Sequence, residues 1–254
     1  MKIRLLGTGY GDCKVKKKCS FDVRYRGGVL VDERILLDAP LDIFESCEAL
    51  GFSDALKEVS EIFISHSHAG HFSSEVLSEL SKRRKIRVFA SGEVLSLIPE
   101  NPKIETVELL PFIPIELADY RILPLPANHA VQDSAEICFN FIISRERTLF
   151  YALDGAGLNL SSWSFLKNEK IDTAILDCAL GDGEYSEKSM YHGNLREAIK
   201  TKEILINSKI CREDAKFILS HIPTDRRREI HEELSREAKK YGFTVAYDGY
   251  FAIC

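Results

Sequence analysis

Short runs of β-branched and aromatic residues alternate along this chain with segments whose apolar positions recur at helical spacing. The runs predict strands at residues 3–7, 21–26, 29–32, 35–38, 61–65, 86–90, 106–110, 121–124, 137–144, 148–153, 173–177, 216–220 and 244–247. The amphipathic segments predict helices at residues 41–50, 73–85, 93–98, 162–168, 194–207 and 225–241. The first half reads as a strand meander and the second as strand–helix alternation, with no low-complexity linker between them. That mixture predicts an α/β chain in which helices cover sheets, organised as one layered domain over residues 1–254.

Polar residues able to bind a metal stand where the apolar runs stop. Asp38 follows Ile35–Leu37, His66 follows residues 62–65 and His129 follows residues 122–128. Asp154, Asp177 and His221 likewise follow residues 149–153, 174–176 and 217–220. Loops at strand ends hold side chains against a rigid sheet, so this recurrence predicts a shared site. The densest segment is Ser65-His66-Ser67-His68-Ala69-Gly70-His71-Phe72. Neutral imidazole nitrogens suit zinc, iron and related metals. An ordinary polar loop is the alternative, and three histidines between two apolar elements weigh against it.

Composition narrows the class. The 254 residues carry 34 basic and 39 acidic side chains, a formal net charge of −5, with 45 % hydrophobic and 29 % charged residues. Those values fit a globular protein and exclude a disordered tail, a collagen or a small disulfide scaffold. The seven cysteines include no CxxC pair, and the N-terminal residues show no long apolar stretch of the signal-peptide kind. No apolar run approaches the ~20 residues of a membrane helix. The expectation is a reduced, cytoplasmic protein whose cysteines mostly fill the core, with Cys13 and Cys19 in a basic loop around residues 14–18.

With its flanking landmarks in order, the histidine loop resembles the His-x-His-x-Asp-His motif of the metallo-β-lactamase-fold hydrolases. Asp38, in Leu36-Leu37-Asp38-Ala39-Pro40, matches the aspartate before the loop. His129 matches the next histidine ligand, Asp154 the bridging aspartate and His221 the last histidine. The resemblance implies a four-layered αββα sandwich of two mixed sheets flanked by helices, with a metal site along one edge. It implies that His66, His68 and His129 hold a first divalent metal, that His71 and His221 hold a second, and that Asp154 lies between them. A bridging hydroxide would be the nucleophile, since coordination lowers the pKa of water to about 7. Zinc is the expected cofactor, with manganese and iron as alternatives. The departure is Gly70, where the family has an aspartate that binds the second metal. One ion or two therefore stays open, and Asp38 and Asp133 are the candidate substitutes.

Leu5-Leu6-Gly7-Thr8-Gly9 and the segment around Asp154 look most like the ribonuclease Z and phosphonate-operon phosphodiesterase branch. Members of that branch cleave phosphodiesters, cyclic ribose phosphates among them. His192 falls where the branch carries an extra histidine. It reads either as a catalytic acid or phosphate contact, or as a surface residue beside a helix capped by Asn194. Asp177 reads as an orienter of ligands. The expected function is metal-dependent hydrolysis of a small phosphodiester, such as a cyclic nucleotide or ribose phosphate, with Asp154 and His192 as catalytic residues. Ester, lactone or thioester hydrolysis is the alternative, as is a non-catalytic metal- or ligand-binding relative. The acidic balance disfavours a long nucleic acid as partner. No membrane partner is expected, and a homodimer stays open. His231 reads as exposed and Trp163 as a core or interface anchor.

Overall fold

The computed structural model describes residues 1–10, 24–184, 187–223 and 228–254. In chain order the first strands are β1 (Lys2–Gly7), β2 (Gly9–Tyr10), β3 (Gly28–Val31), β4 (Ile35–Leu37), β5 (Glu61–Phe63), β6 (Ile86–Ala90) and β7 (Ile104–Glu108). They are followed by β8 (Ile115–Leu117), β9 (Tyr120–Pro126), β10 (Phe139–Ser144), β11 (Thr148–Ala152) and β12 (Ile171–Asp177). The last four are β13 (Cys211–Ser220), β14 (Ile222–Pro223), β15 (Phe243–Val245) and β16 (Phe251–Ile253). The helices are α1 (Ile43–Ala49), α2 (Ser74–Arg83), α3 (Gly92–Ser96), α4 (Leu160–Leu166), α5 (Leu195–Asn207) and α6 (Arg228–Lys240).

Two seven-stranded sheets result, ordered β16-β1-β3-β4-β5-β6-β7 and β15-β13-β12-β11-β10-β9-β8. Side chains alternate across a strand, and both faces of each sheet are covered. Ile35 and Leu37 of β4 join the core between the sheets, whereas Leu36 packs with Ile43, Val76 and Leu80 of α1 and α2. Phe141 and Ile143 of β10 enter the same central core, while Ile142 packs with Leu195, Ala198 and Leu205 of α5. Three apolar layers thus separate four structural layers, helix–sheet–sheet–helix.

Strand direction puts the site at one edge. β4 and β5 are parallel, so Asp38 and His66 leave the first sheet on the same side. β9 and β11 both run antiparallel to β10, which lies between them, and hence in the same direction, and β11, β12 and β13 are parallel. His129, Asp154, Asp177 and His221 therefore stand at or just past matching strand ends in the second sheet. The small parallel pair β2–β14 draws Tyr10 to the segment after His221.

Several sequence expectations change. β2, β8, β14 and β16 are additional strands, and the strand expected at 106–110 starts earlier, at Ile104. Of the strand expected at 21–26, residues 21–23 lie outside the described residues, and Arg26 makes only an isolated bridge to Gly9. Cys13, Cys19 and residues 14–18 also lie outside them, as does the start of the helix expected at 225–241. Cys47, Cys138 and Cys178 are buried thiols, and Cys211 and Cys254 are partly buried. Among the described residues, no helix is long and apolar enough to cross a membrane.

His231 is partly buried rather than exposed. Its Nδ1 lies 2.6 Å from Nη2 of buried Arg24, whose Nη1 donates to Thr8 Oγ1 at 2.5 Å and to the Ala246 carbonyl at 2.7 Å. Burial first, and then the Arg24 charge, lower the His231 pKa to about 4. The unfolded chain takes up this proton near pH ~6.5, the folded chain only near 4. The stability it contributes is thus complete above that unfolded value and lost as pH falls through the folded one. Urea midpoints measured across that window should fall on acidification, and His231→Gln should flatten part of the fall.

Candidate metal centre

The histidine loop is fastened by Asp38. Its Oδ1 accepts the Ser65 amide at 2.7 Å, and its Oδ2 accepts the Tyr151 hydroxyl at 2.7 Å and meets His71 Nδ1 at 2.8 Å. With Nδ1 so held, His71 turns Nε2 toward Oδ2 of Asp154, 2.5 Å away. His66 sets Nδ1 against Ser65 Oγ at 2.9 Å, leaving Nε2 2.9 Å from His68 Nδ1 and 3.8 Å from Asp154 Oδ2. His129 gives its Nδ1 hydrogen to the Tyr191 carbonyl at 2.8 Å, so its Nε2 lone pair faces His68 Nδ1 at 3.2 Å.

On the other side of Asp154 the hub is Asp177. Its Oδ1 accepts the Ala179 amide at 2.8 Å, and its Oδ2 accepts those of Gly193 at 2.9 Å and Gly155 at 3.2 Å. One carboxylate thus ties together the segments after Asp154, after β12 and around His192. A Cβ at position 193 would stand 2.8 Å from the Asp177 carbonyl, so only glycine lets the loop approach this closely. His192 Nδ1 lies 3.0 Å from Asp154 Oδ1 and 3.6 Å from Asp177 Oδ2. His221 Nδ1 lies 3.4 Å from Asp154 Oδ1 and 3.2 Å from Asp177 Oδ1. Asp38, Asp154 and His221 all adopt left-handed backbone, with φ of 62°, 51° and 60°. Such strain in non-glycine residues is held in place by the surrounding structure and aims the side chains.

These contacts pass the test for a divalent transition metal. Bonds of about 2.1 Å at tetrahedral angles put two ligand atoms about 3.4 Å apart, and the spacings above, from 2.5 to 3.8 Å, bracket that value. Asp154 Oδ2 and His192 Nδ1 are buried without a hydrogen-bond partner. Both have close polar neighbours, His71 Nε2 for the first and Asp154 Oδ1 for the second, without a hydrogen bond to them. Among the described residues, His66, His68 and His129 form one group with ligand atoms within 4.8 Å of one another. His66, His71 and Asp154 form a second such group, and Asp154, Asp177, His192 and His221 a third.

The protein's own field divides these imidazoles into neutral and cationic ones. Burial, reinforced by neighbouring imidazoles, keeps His66 well below its ordinary pKa and brings His68 to about 4. Burial lowers His129 as well. Neutral imidazoles need lose no proton to bind a metal. Burial also opposes charge on His71 and His192, but the flanking carboxylates outweigh it and raise them to about 10 and about 9. Asp154 stays ionised despite its burial, because His221 and His71 lower its pKa.

The structure thus gathers His66, His68, His71, His129, Asp154, Asp177, His192 and His221. Asp38 touches His71 from behind, and Asp133 is exposed and in none of the three groups. His192 is 9 % exposed, which excludes the surface reading, although Asn194 does cap α5 by accepting the Glu197 amide at 3.0 Å. Two neighbours went unread in the sequence. Tyr10 packs its ring on His192 and His221 at 4.6 and 5.0 Å, and Glu136 accepts the Ser67 amide at 2.7 Å. Neither carries a local sequence signal, since both meet the site only through the fold. Asp38→Asn keeps the shape but offers an amide to His71 and Tyr151. Chelator competition should show metal affinity lowered about 10–100-fold.

The family model for the beta-lactamase superfamily domain matches residues 33–222. No curated protein matches the chain significantly. Among solved structures, the metallo-beta-lactamase fold protein YhfI from Bacillus subtilis is 18 % identical, with 99 % of this chain and 98 % of that chain covered and a TM-score of 0.73. Zn(2+)-bound PqqB from Methylobacterium extorquens is 16 % identical over 100 % of both chains, with a TM-score of 0.76. Unliganded yeast PDE1 is 12 % identical over 100 % of this chain and 99 % of that one, with a TM-score of 0.70. At these identities the neighbours show a shared fold. The family match over most of the chain shows more: this protein belongs to the beta-lactamase superfamily and has the metallo-β-lactamase fold.

Proposed function

We propose that this protein is a metal-dependent hydrolase of a small phosphodiester, a cyclic nucleotide or cyclic ribose phosphate being the substrate class that the sequence resemblance favours. The observation that carries this reading is the sharing of Asp154 by donor groups on both sides of it. His66, His68 and His129, with Asp154, would hold one metal, and the donors beyond Asp154, His221 among them, would hold another. Such ions supply Lewis acidity toward a phosphoryl oxygen and activation of water at neutral pH, and two-metal sites suit in-line displacement at phosphorus.

The chain's own residues supply order and charge. Asp154 remains a carboxylate and faces both groups. The Tyr191 carbonyl and Ser65 hydroxyl fix the rings of His129 and His66. Burial first, then Asp154 and Asp177, raise the Tyr10 pKa, so its phenol keeps its proton while its ring packs on His192 and His221. The net charge of −5 fits a small substrate better than a polyanion that needs a basic face. The PqqB neighbour is zinc-bound, which supports a transition metal here.

Bis(p-nitrophenyl) phosphate should turn over with zinc, manganese or iron, and His68→Ala should lower kcat/KM by about 100-fold or more. Hydrolysis of p-nitrophenyl acetate with none of the diester would replace this reading by carbonyl chemistry. No turnover of either by folded, metal-loaded protein would favour a non-catalytic relative.

A further inference from the structure

We propose that the second metal position in this chain is built on His192: Asp154, His192 and His221 supply its protein ligands, replacing the carboxylate lost at Gly70. This rests on the metal-binding part of the reading above and not on the phosphodiester substrate. The family pattern places the second ion beside position 70, between His71 and His221. Here no side chain reaches from that position, and a Cβ built on Gly70 would meet nothing within 4 Å. The substitutes expected from sequence do not fill the gap. Asp38 already serves Ser65, Tyr151 and His71, and Asp133 is exposed.

The ligand atoms have regrouped instead. His71 goes with His66, while His221 goes with His192, Asp154 and Asp177. Within the latter group Asp177 is occupied by three backbone amides, so it orients the others. His192 Nδ1 is a buried nitrogen that makes no hydrogen bond, 3.0 Å from Asp154 Oδ1. Two atoms that close, without hydrogen-bond alignment, have the spacing of neighbouring ligands on one ion. Tyr10 braces both rings, and Gly193 permits the approach. The loop around His192 is therefore shaped to deliver a donor beside Asp154 and His221.

The test measures metal binding in the full chain. Chelator-treated protein is titrated with zinc, followed by elemental analysis, and with cobalt, followed by its visible absorption. Wild type should bind two equivalents. His192→Ala should keep the first and weaken the second by more than the about 10–100-fold that loss of an outer partner costs. Gly70→Asp should leave the wild-type stoichiometry unchanged. If His192→Ala misfolds, ¹⁵N-histidine spectra of zinc-loaded wild type report directly on whether His192 Nδ1 is coordinated. A single equivalent in wild type, two unweakened equivalents in His192→Ala, an uncoordinated Nδ1, or a second equivalent acquired only by Gly70→Asp would each overturn the proposal. Two equivalents without diester turnover would defeat the substrate reading and leave this one standing.

Discussion

Asp154 is an ionised carboxylate, 2 % exposed, with His66, His71, His192 and His221 around it. A buried charge is tolerable only when opposite charge and directed donors surround it. Here the imidazoles come from three separate segments, the loop after β5 and the segments around His192 and His221, so the charge is satisfied only in the complete fold. The need works in both directions. Asp154 holds the sheet edges to a common point, and the edges hold Asp154 away from water. A metal ion is the natural counter-charge for the lone pairs that remain.

The rest of the architecture serves that convergence. Parallel pairing of β4 with β5, and of β11, β12 and β13, brings successive strand ends to the same rim. The central apolar core, with Phe63, Phe89, Phe139, Phe141 and Tyr151, fixes the spacing between the sheets. Tyr151 links core and site, since its ring packs in that layer while its hydroxyl donates to Asp38. Asp38 and Asp177 then perform equivalent work on the two sheets. Each stands at or just past a strand end, accepts backbone amide hydrogen bonding from a neighbouring loop and lies against a histidine, His71 for Asp38 and His221 for Asp177.

The sheets covered on both faces were legible because their strands read as apolar runs, as in β10, β11 and β12. The short strands β2 and β14 were not, since Gly9 pairs with Ile222 across nearly the whole chain and neither segment has a periodic pattern. The edge strand β16, Phe251–Ile253, has two exposed residues in three and lacked the buried run that marks the others. At the site, close spacing made His66, His68 and His71 visible, and position after a strand made Asp38, Asp154 and His221 visible. Proximity in sequence misled for Asp133, which follows His129 closely yet is exposed and in none of the ligand groups. Tyr10 and Glu136 show the opposite limit, being far from the loops they touch. Gly70 was readable as a departure, whereas the regrouping around His192 needed coordinates.

The most direct measurement is anomalous diffraction at the zinc edge from crystals of the zinc-loaded protein. The account predicts two peaks flanking Asp154, one among His66, His68 and His129 and the other among Asp154, His192 and His221. Absence of any peak at Asp154, or a second peak held by His71 and His221 away from His192, would contradict it.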